Sequence, residues 1–332
     1  MDRIVVRRAT VDDYDGVKRI SKGIYEGRDI LPDVYFKCMA NPAKNGVVAE
    51  LDGEIVAFEM VHIVDGGRTA VVQSGRSSPN IRGRGIFGLM EKRHFTDILF
   101  PRFPRIARMR TMSTKTDFFE SKDDGTEIIM RRVVISLGDV PVPLADFVHR
   151  LTPQRMAALR QQLPIDSLAP ADGNTLKDIL AAPLSTKHLF PEGVMVTDVD
   201  VFDAHGSNTR MAVDGCSAIF VTGSASSMYE SLSFGHGAAC QLGCRYTIDY
   251  YGTPDHSVIL AHVSRHLPLV REVSRGRPLL IHLIVAEAML GEVLRRHVNE
   301  FAVANVASTG QSPSYFKLYT MTHPLSAPNP RL

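Results

Sequence analysis

Residues 78–90 read Ser78-Pro79-Asn80-Ile81-Arg82-Gly83-Arg84-Gly85-Ile86-Phe87-Gly88-Leu89-Met90. They follow an apolar run, Thr69–Ser74, that predicts a strand, and they lead into Phe87, Met90 and His94, whose spacing predicts a helix. Glycines two positions apart allow left-handed dihedrals and let a ligand approach the main chain. Successive N–H groups at a helix N-terminus attract anions, and arginine side chains suit phosphate oxygens. The segment therefore predicts a phosphate-binding turn.

Two other phosphate-binding patterns do not match this turn. No Gly-Lys-Ser/Thr follows the glycines as it does in a Walker loop, and the third glycine is displaced from its place in a dinucleotide fingerprint. A surface turn with a helix cap is the alternative that these residues alone leave open.

The elements around the turn predict an α+β fold for residues 1–136. Apolar runs predict a strand at Ile4–Arg7 and an antiparallel hairpin of Asn45–Leu51 and Glu54–Val64, joined by the turn dipeptide Asp52-Gly53. Two helices precede this hairpin, and the later runs Arg105–Met112 and Ile128–Ile135 predict further strands. The order is β-α-α-β-β-β-loop-α-β-α-β, which differs from a Rossmann repeat.

The remainder of the chain divides into a proline-rich segment and a second α+β region. Residues 137–192 contain seven prolines and one predicted helix near Arg155–Gln162, which indicates a linker. Residues 193–332 contain predicted strands at Val194–Val201, Ala218–Val221 and Cys244–Tyr251, followed by alternating helices and strands. This order repeats that of residues 1–136 without a second Gly-rich loop, so a degenerate copy of the first domain is a hypothesis.

The turn resembles motif A of the GCN5-related N-acetyltransferases (GNAT). The motif is Gln/Arg-x-x-Gly-x-Gly/Ala; Gly83 and Gly85 match it, and Asn80 departs from it. The resemblance implies a GNAT fold, with a mixed and mainly antiparallel sheet flanked by helices, and acetyl-CoA as the cosubstrate. It also implies that the turn and the end of the preceding strand hold coenzyme A, through Ser74, Gly75, Arg76, Arg82, Gly83, Arg84, Gly85, Ile86 and Phe87.

A narrower resemblance concerns the acceptor amine. The pattern Tyr25-x-Gly27-x-Asp29-x-Leu31-Pro32-x-x-Tyr35, together with Glu59, is similar to the histidine N-acetyltransferase group of animals. It implies a free amino acid as acceptor, with histidine first, and Tyr25, Asp29 and Tyr35 as substrate-site residues. A solvated loop is the alternative for these three.

Glu59 is the predicted catalytic base. It interrupts the apolar run Glu54–Val64, and a carboxylate in such a strand is costly unless it is paired or useful. Burial would raise its pKa, so that it could take a proton from the acceptor amine directly or through water. An ion pair with an arginine is the alternative. His62, three residues on, is expected to be an interior histidine, and it could serve as the base only if the strand is bulged there. It is also counted among the candidate substrate residues.

Many GNAT enzymes use a tyrosine after the fifth strand to protonate the departing thiolate, and no tyrosine lies between Tyr35 and Tyr229. Ser113 and Ser121 are candidates for this role, and solvent is an equal alternative. Direct transfer requires no covalent enzyme intermediate.

Composition excludes several classes of function. A net charge of +2 without a basic run argues against nucleic-acid binding, and the longest apolar run, Pro278–Leu290, is too short to span a membrane. Four cysteines without a paired His/Cys set predict no metal site and no disulfide framework. The N-terminal residues resemble no signal peptide, so a cytoplasmic enzyme is expected. The sequence leaves the oligomeric state open.

Two functional alternatives remain open at this point. One is a GNAT enzyme that acts on another amine, such as a polyamine or a protein N-terminus. The other is a coenzyme A-binding sensor or scaffold without catalysis.

Overall fold

The computed structural model describes residues 4–114, 125–138, 141–306 and 314–325. Contacts between Cα atoms divide the chain into two compact units. Unit 1 comprises Met1–Met112, Asp117–Glu127 and Met321–Leu332, and unit 2 comprises Ser113–Thr116 and Ile128–Thr320.

Unit 1 is built on a five-stranded sheet with helices on both faces. Its elements are β1 (Ile4–Arg8), α1 (Tyr14–Ile20), α2 (Leu31–Ala40), β2 (Lys44–Leu51), β3 (Glu54–Val64), β4 (Thr69–Ser77), α3 (Ile86–Arg93) and β5 (Arg108–Ser113). The spatial order is β1-β2-β3-β4-β5, in which β4 and β5 are parallel and the other neighbours are antiparallel. Helix α3 continues as a π-helical segment, His94–Leu99, and an α-helical turn, Phe100–Arg102.

Alternation along β2 and β3 explains how this sheet is covered. Val48, Phe58 and Met60 pack on α1 and α2, whereas Val47 and Ala57 pack on the opposite face with Ile86 and Met90 of α3. Because successive side chains of a strand point to opposite faces, the near-continuous apolar runs fill two cores.

Unit 2 repeats this sheet topology. Its strands are β6 (Glu127–Ser136), β7 (Ala169–Pro170), β8 (Val194–Thr197), β9 (Asp200–Asp203), β10 (Ala218–Gly223), β11 (Tyr229–Cys240), β12 (Gly243–Gly252), β13 (Leu279–Ala286) and β14 (Ser314–Pro324). Its helices are α4 (Leu144–Arg150), α5 (Pro153–Gln162), α6 (Gly173–Ala181), α7 (Pro183–Leu189), α8 (Thr209–Val213), α9 (His256–Ser274) and α10 (Glu292–Asn305). The sheet order is β6-β13-β12-β11-β10-β7. As in unit 1, one neighbouring pair, β12 and β13, is parallel and is connected by a helix, α9.

The residues of strand β14 are divided between the two units. Residues of β14 up to Thr320 belong to unit 2, and those from Met321 belong to unit 1.

Three details of the predicted elements differ from the structure. The described part of residues 137–192 contains four helices, α4 to α7, instead of one. The single strand expected at Val194–Val201 is the hairpin of β8 and β9, which turns at Asp198 with φ 54°. Strand β11 was not predicted. The helix expected between β5 and β6 falls mainly on residues 115–124, outside the described residues.

Candidate functional site

Strand β4 is bulged opposite Glu59. Phe58 pairs with Arg76 and Met60 pairs with Gln73, so two residues of β4, Ser74 and Gly75, face the single residue Glu59. Ser74 has φ 57°, a left-handed conformation that is uncommon outside glycine. A bulge bends its strand and interrupts the ladder of main-chain hydrogen bonds. The main chain of Ser74 and Gly75 is thereby released from regular pairing with β3.

The turn before α3 has the geometry that its glycines predict. Gly83 and Gly85 have φ of 76° and 73°, and a Cβ atom at either position would meet open space. The cost of substituting them therefore comes from the backbone conformation and from any ligand placed there. Gly85 is the N-cap of α3, whose first N–H groups lack partners within the helix. The helix dipole adds partial positive charge at this end.

The β4 bulge and the turn before α3 line the same cavity, which has a volume of about 820 Å³. Its volume lies within the range of small-molecule sites. It is lined by Tyr25, Val72, Gln73, Ser74, Gly75, Ser77, Ile81, Arg82, Gly83, Gly85, Ile86, Phe87, Gly88, Glu91, Lys92, Phe95, Met109, Thr111, Met112, Thr126, His323 and Leu325. The structure thus brings together seven of the nine residues expected to hold coenzyme A: Ser74, Gly75, Arg82, Gly83, Gly85, Ile86 and Phe87.

Two predicted cofactor residues lie elsewhere. Arg76 is 3% exposed and forms an ion pair with Asp29, so its guanidinium is taken up inside the protein. Arg84 is also absent from the cavity wall.

The predicted substrate residues are separated by the fold. Tyr25 is 64% exposed and lines the cavity. Tyr35 is fully buried, donates a hydrogen bond to the carbonyl of Thr10, and packs among the aromatic rings of the α1–α2 core. Asp29 faces Arg76, and His62 is buried in β3. Of the four predicted substrate residues, Tyr25 lines this cavity and Asp29, Tyr35 and His62 do not, so their role in binding a substrate stays a prediction.

Glu59 is buried against a histidine that the sequence analysis did not assign to the site. Its Oε1 lies 2.8 Å from Nδ1 of His94, and both side chains are 0% exposed. Burial raises the pKa of Glu59 to about 8 and lowers the pKa of His94 to about 3. Burial thus favours the uncharged form of each group, and Glu59 is paired with His94 and not with an arginine. Glu59 does not line the cavity, so of the two expected routes for the proton, direct or through water, this position favours the one through water.

His94 reaches Glu59 from the face of α3 that packs against β3, about one turn after Met90. A π-helical segment starts at His94. Glu59 Oε2 and His94 Nε2 have no hydrogen-bond partner among the described protein atoms. Buried polar atoms without hydrogen-bond partners lower the stability of the folded protein. Such atoms often bind a water molecule or belong to a functional site.

The sequence did not single out several of the residues that line the cavity. Glu91 and Phe95 follow the predicted residue Phe87 at a spacing of four along the helix, which the helical period could have indicated. His323 lies beside Thr126, 3.1 Å from its Oγ1, although 197 positions separate them, and no local pattern links two such residues. Ser113 ends β5 and is not among the lining residues. Ser121 lies outside the described residues.

Neither a metal site nor a membrane span is indicated in the described parts of the chain. No group of three or more His, Cys, Asp or Glu side chains there could hold a metal ion. No helix among these residues combines the length and the apolar character needed to cross a bilayer.

Comparison with known proteins gives named relatives. No family model matches the sequence. The chain is 28% identical over 211 residues to human "Probable N-acetyltransferase 16", which covers 61% of this chain and 54% of the relative. It is 32% identical over 184 residues to the "Histidine N-acetyltransferase" of Xenopus tropicalis, with 52% and 54% covered. The matches thus span about half the length of these curated relatives.

Solved structures match almost the whole chain in fold. A putative acetyltransferase from Pyrococcus horikoshii aligns with a TM-score of 0.52 and 13% identity, covering 98% of this chain and 90% of that one. A tandem GNAT protein from the clavulanic acid biosynthesis pathway aligns with a TM-score of 0.51 and 12% identity, covering 97% and 98%. These likenesses concern the fold, and they confirm the predicted α+β class with a second GNAT-like region.

Proposed function

Because the chain has the GNAT fold and resembles the histidine N-acetyltransferase group of animals, we propose that it is an acetyl-CoA-dependent N-acetyltransferase. The observation that carries this proposal is the Gly83–Gly85 turn, which meets the β4 bulge in one cavity of about 820 Å³. A turn and a helix N-terminus suit a pyrophosphate, and a broken strand pairing suits an extended amide chain. Coenzyme A contains both.

The residues of this chain suit coenzyme A in their chemistry. Arg82 and Lys92 contribute positive charge to the cavity, and Ile81, Ile86 and Phe87 contribute apolar surface. Acetyl-CoA would supply an activated thioester. The main chain at Ser74 and Gly75 would orient it, and a main-chain N–H there would stabilise the developing oxyanion.

We propose direct transfer to a bound amine. The amine nitrogen forms the new C–N bond to the acetyl carbon, the C–S bond breaks, the amine loses a proton to a base, and the thiolate takes one from solvent. Holding the two reactants together can contribute about 7–11 kcal/mol of the barrier reduction. The enzyme therefore needs little chemical assistance beyond orientation and one proton transfer.

Glu59 is our proposed base, and it would act through water because it lies off the cavity wall. Its pKa of about 8 is close to that of an α-amino group, which is also about 8 in model peptides. Proton transfer between groups of matched pKa is nearly balanced in free energy, which suits a general base. The unpartnered Oε2 is the atom at which such a water would bind.

The proposed acceptor is the α-amino group of a free amino acid, with histidine first. The name of the Xenopus relative supports this choice, and Tyr25 is the cavity residue that we assign to the acceptor. Its exposed ring can stack on an imidazole, and its hydroxyl can bind a polar group.

The test measures release of free thiol from acetyl-CoA with a panel of amines: the common amino acids, polyamines and peptides with free N-termini. We expect turnover with histidine above that with any polyamine or peptide. The G85V variant is the control, since a branched side chain at φ 73° would disrupt the turn. Binding of acetyl-CoA without turnover on any amine would instead identify a coenzyme A-binding protein without catalysis.

A further inference from the structure

Asp29 and Arg76 form a buried ion pair next to the cavity without lining it. Arg76 is 3% exposed and Asp29 is 7% exposed. Nε of Arg76 donates to Asp29 Oδ2 at 3.2 Å, and Nη2 donates to Oδ1. Asp29 Oδ1 also accepts from the N–H of Leu31 at 3.0 Å, at the start of α2. The pair thus links the segment before α2 to strand β4.

The remaining donor of Arg76 acts on the bulge itself. Nη1 donates to the carbonyl oxygen of Gly75 at 3.0 Å. A peptide unit is planar, so holding its carbonyl also sets the direction of the N–H in the same plane. The plane between Gly75 and Arg76 is therefore fixed by a side chain, at the place where pairing with β3 is interrupted. On the other side of Gly75, a Cβ atom would lie 2.9 Å from Cζ of Phe87, so the strand is tightly enclosed.

The same guanidinium supports Tyr25. Its Cζ lies 5.5 Å from the centre of the Tyr25 ring, within the range of a cation–π contact. Tyr25 and Glu26 both have positive φ, 50° and 54°, between Gly23 and Gly27, which are also left-handed. Such strain in residues other than glycine persists where surrounding structure holds it in place, and it is frequent at ligand sites. Arg76 is one such support.

We propose that Asp29 and Arg76 are positioning residues. They hold the β4 bulge and Tyr25 in place on the cavity wall, where the main chain of Ser74 and Gly75 would orient the thioester. The proposal rests on the proposed acetyl transfer. Buried ion pairs contribute little net stability, because removing the charges from water offsets their attraction. Holding the bulge and Tyr25 in position therefore explains the presence of this pair better than a contribution to stability does.

The proposal requires the planar guanidinium group of arginine, whose nitrogens can donate to several acceptors at once. Arg76 makes three separate contacts, to the two carboxylate oxygens of Asp29 and to Gly75, and a lysine ammonium cannot reproduce this planar arrangement. We therefore use R76K, which keeps the charge, and D29N, which keeps the volume of the side chain. The matched control is R7K, because Arg7 makes a similar fork to Asp13 in unit 1 and neither residue lines the cavity.

The kinetic experiment separates positioning from binding. We expect R76K and D29N to lower kcat by up to about 100-fold, the effect of a small misplacement of reacting groups. The KM for acetyl-CoA should change by less than about threefold, because the pyrophosphate turn is untouched. R7K should keep the wild-type kcat. A wild-type kcat in both R76K and D29N would overturn the proposal.

A second measurement is independent of turnover. Amide hydrogen exchange in peptides covering residues 72–77 should be faster in R76K than in wild type, and unchanged in R7K. If exchange there is the same in all three proteins, the positioning role is refuted even if acetyl transfer is demonstrated. If exchange rises in R76K while the wild type acetylates no amine, the proposed function fails and the role of the pair in holding the bulge stands. Should R76K not fold, D29N provides the same comparison.

Discussion

At the scale of single residues, the pair of Glu59 and His94 differs most from what the sequence indicated. The sequence singled out Glu59 correctly as a carboxylate in an apolar strand, and its burial and raised pKa follow from that setting. Its partner His94 is 35 positions away in the sequence and lies on the face of α3 that packs against β3. The helical period places His94 on one face with Met90, but no local pattern pairs it with a residue of another element.

The first prediction concerns the pH dependence of turnover. In E59Q we expect kcat to fall by about 100-fold or more near pH 7, the usual contribution of a general base. The loss should shrink above pH 8, where the acceptor amine is largely deprotonated without help. The control is E54Q on the same strand, because Glu54 is exposed. Rate profiles of E59Q and wild type that coincide at every pH would exclude Glu59 as the base.

The second prediction concerns stability. The pKa of Glu59 is about 8 in the folded protein, whereas its ordinary value, which applies to the unfolded chain, is 4.5. Between pH 4.5 and pH 8 the unfolded chain therefore loses the proton of Glu59, and the folded chain keeps it. The contribution of Glu59 to the free energy of unfolding therefore falls as pH rises from 4.5 to 8, by up to about 1.4 kcal/mol per pH unit. His94, with a lowered pKa, acts in the opposite direction between about 3 and 6.5.

The E59Q substitution removes the contribution of Glu59. Urea unfolding should show E59Q gaining stability relative to wild type as pH rises from 5 to 8, whereas E54Q should follow the wild type. A constant difference between E59Q and wild type over this range would show that Glu59 titrates normally in the folded protein.

At the scale of elements, the sequence predicts correctly those strands and turns whose residues form one clear pattern of apolar runs and turn residues. The hairpin of β2 and β3 follows from two apolar runs and the Asp52-Gly53 turn, and both residues of that turn have positive φ. Strand β11 was missed because Gly235-His236-Gly237-Ala238-Ala239 lacks the bulky residues typical of strands. Its small residues are explained by tertiary packing, which the sequence alone does not reveal.

The third prediction tests this account of β11. A Cβ atom at Gly235 would overlap the Tyr246 hydroxyl and lie 2.6 Å from Nδ1 of His266. That histidine belongs to a buried hydrogen-bond chain with Ser233 and His262. G235A should lower the free energy of unfolding by about 1–3 kcal/mol, as overpacking does. In the control G206A the new Cβ meets open space, so equal stabilities of G235A and G206A in urea would contradict this explanation.

At the scale of the whole molecule, unit 2 has the sheet topology of unit 1 but differs from it at two described places, the pairing of β11 with β12 and the start of α9. The pairing of β11 with β12 runs in continuous register from Ser231 to Cys240, with no bulge over these residues. At the start of α9, Asp255 accepts hydrogen bonds from the hydroxyl and from the N–H of Ser257, and these bonds lower the pKa of Asp255. A carboxylate already occupies the position where unit 1 presents free amides. The three-part domain division at 1–136, 137–192 and 193–332 stays a prediction.

The fourth prediction follows from this comparison. Calorimetric titration should give one molecule of acetyl-CoA bound per chain, because the carboxylate of Asp255 repels phosphate and the pairing of β11 with β12 has no bulge from Ser231 to Cys240. G85V should abolish this binding entirely. Two molecules per wild-type chain, or one remaining in G85V, would place a phosphate site outside the turn before α3.

The last strand, β14, has a consequence for how the protein is made. His323 and Leu325 complete the wall of a cavity whose other residues lie between positions 25 and 126. A ribosome adding about 5–20 residues per second needs about 10–40 s to travel from Thr126 to His323. Throughout that interval the nascent chain carries the turn and the bulge with one side of the groove still missing. A partly synthesised chain is thereby kept from forming the finished pocket until its final segment has emerged.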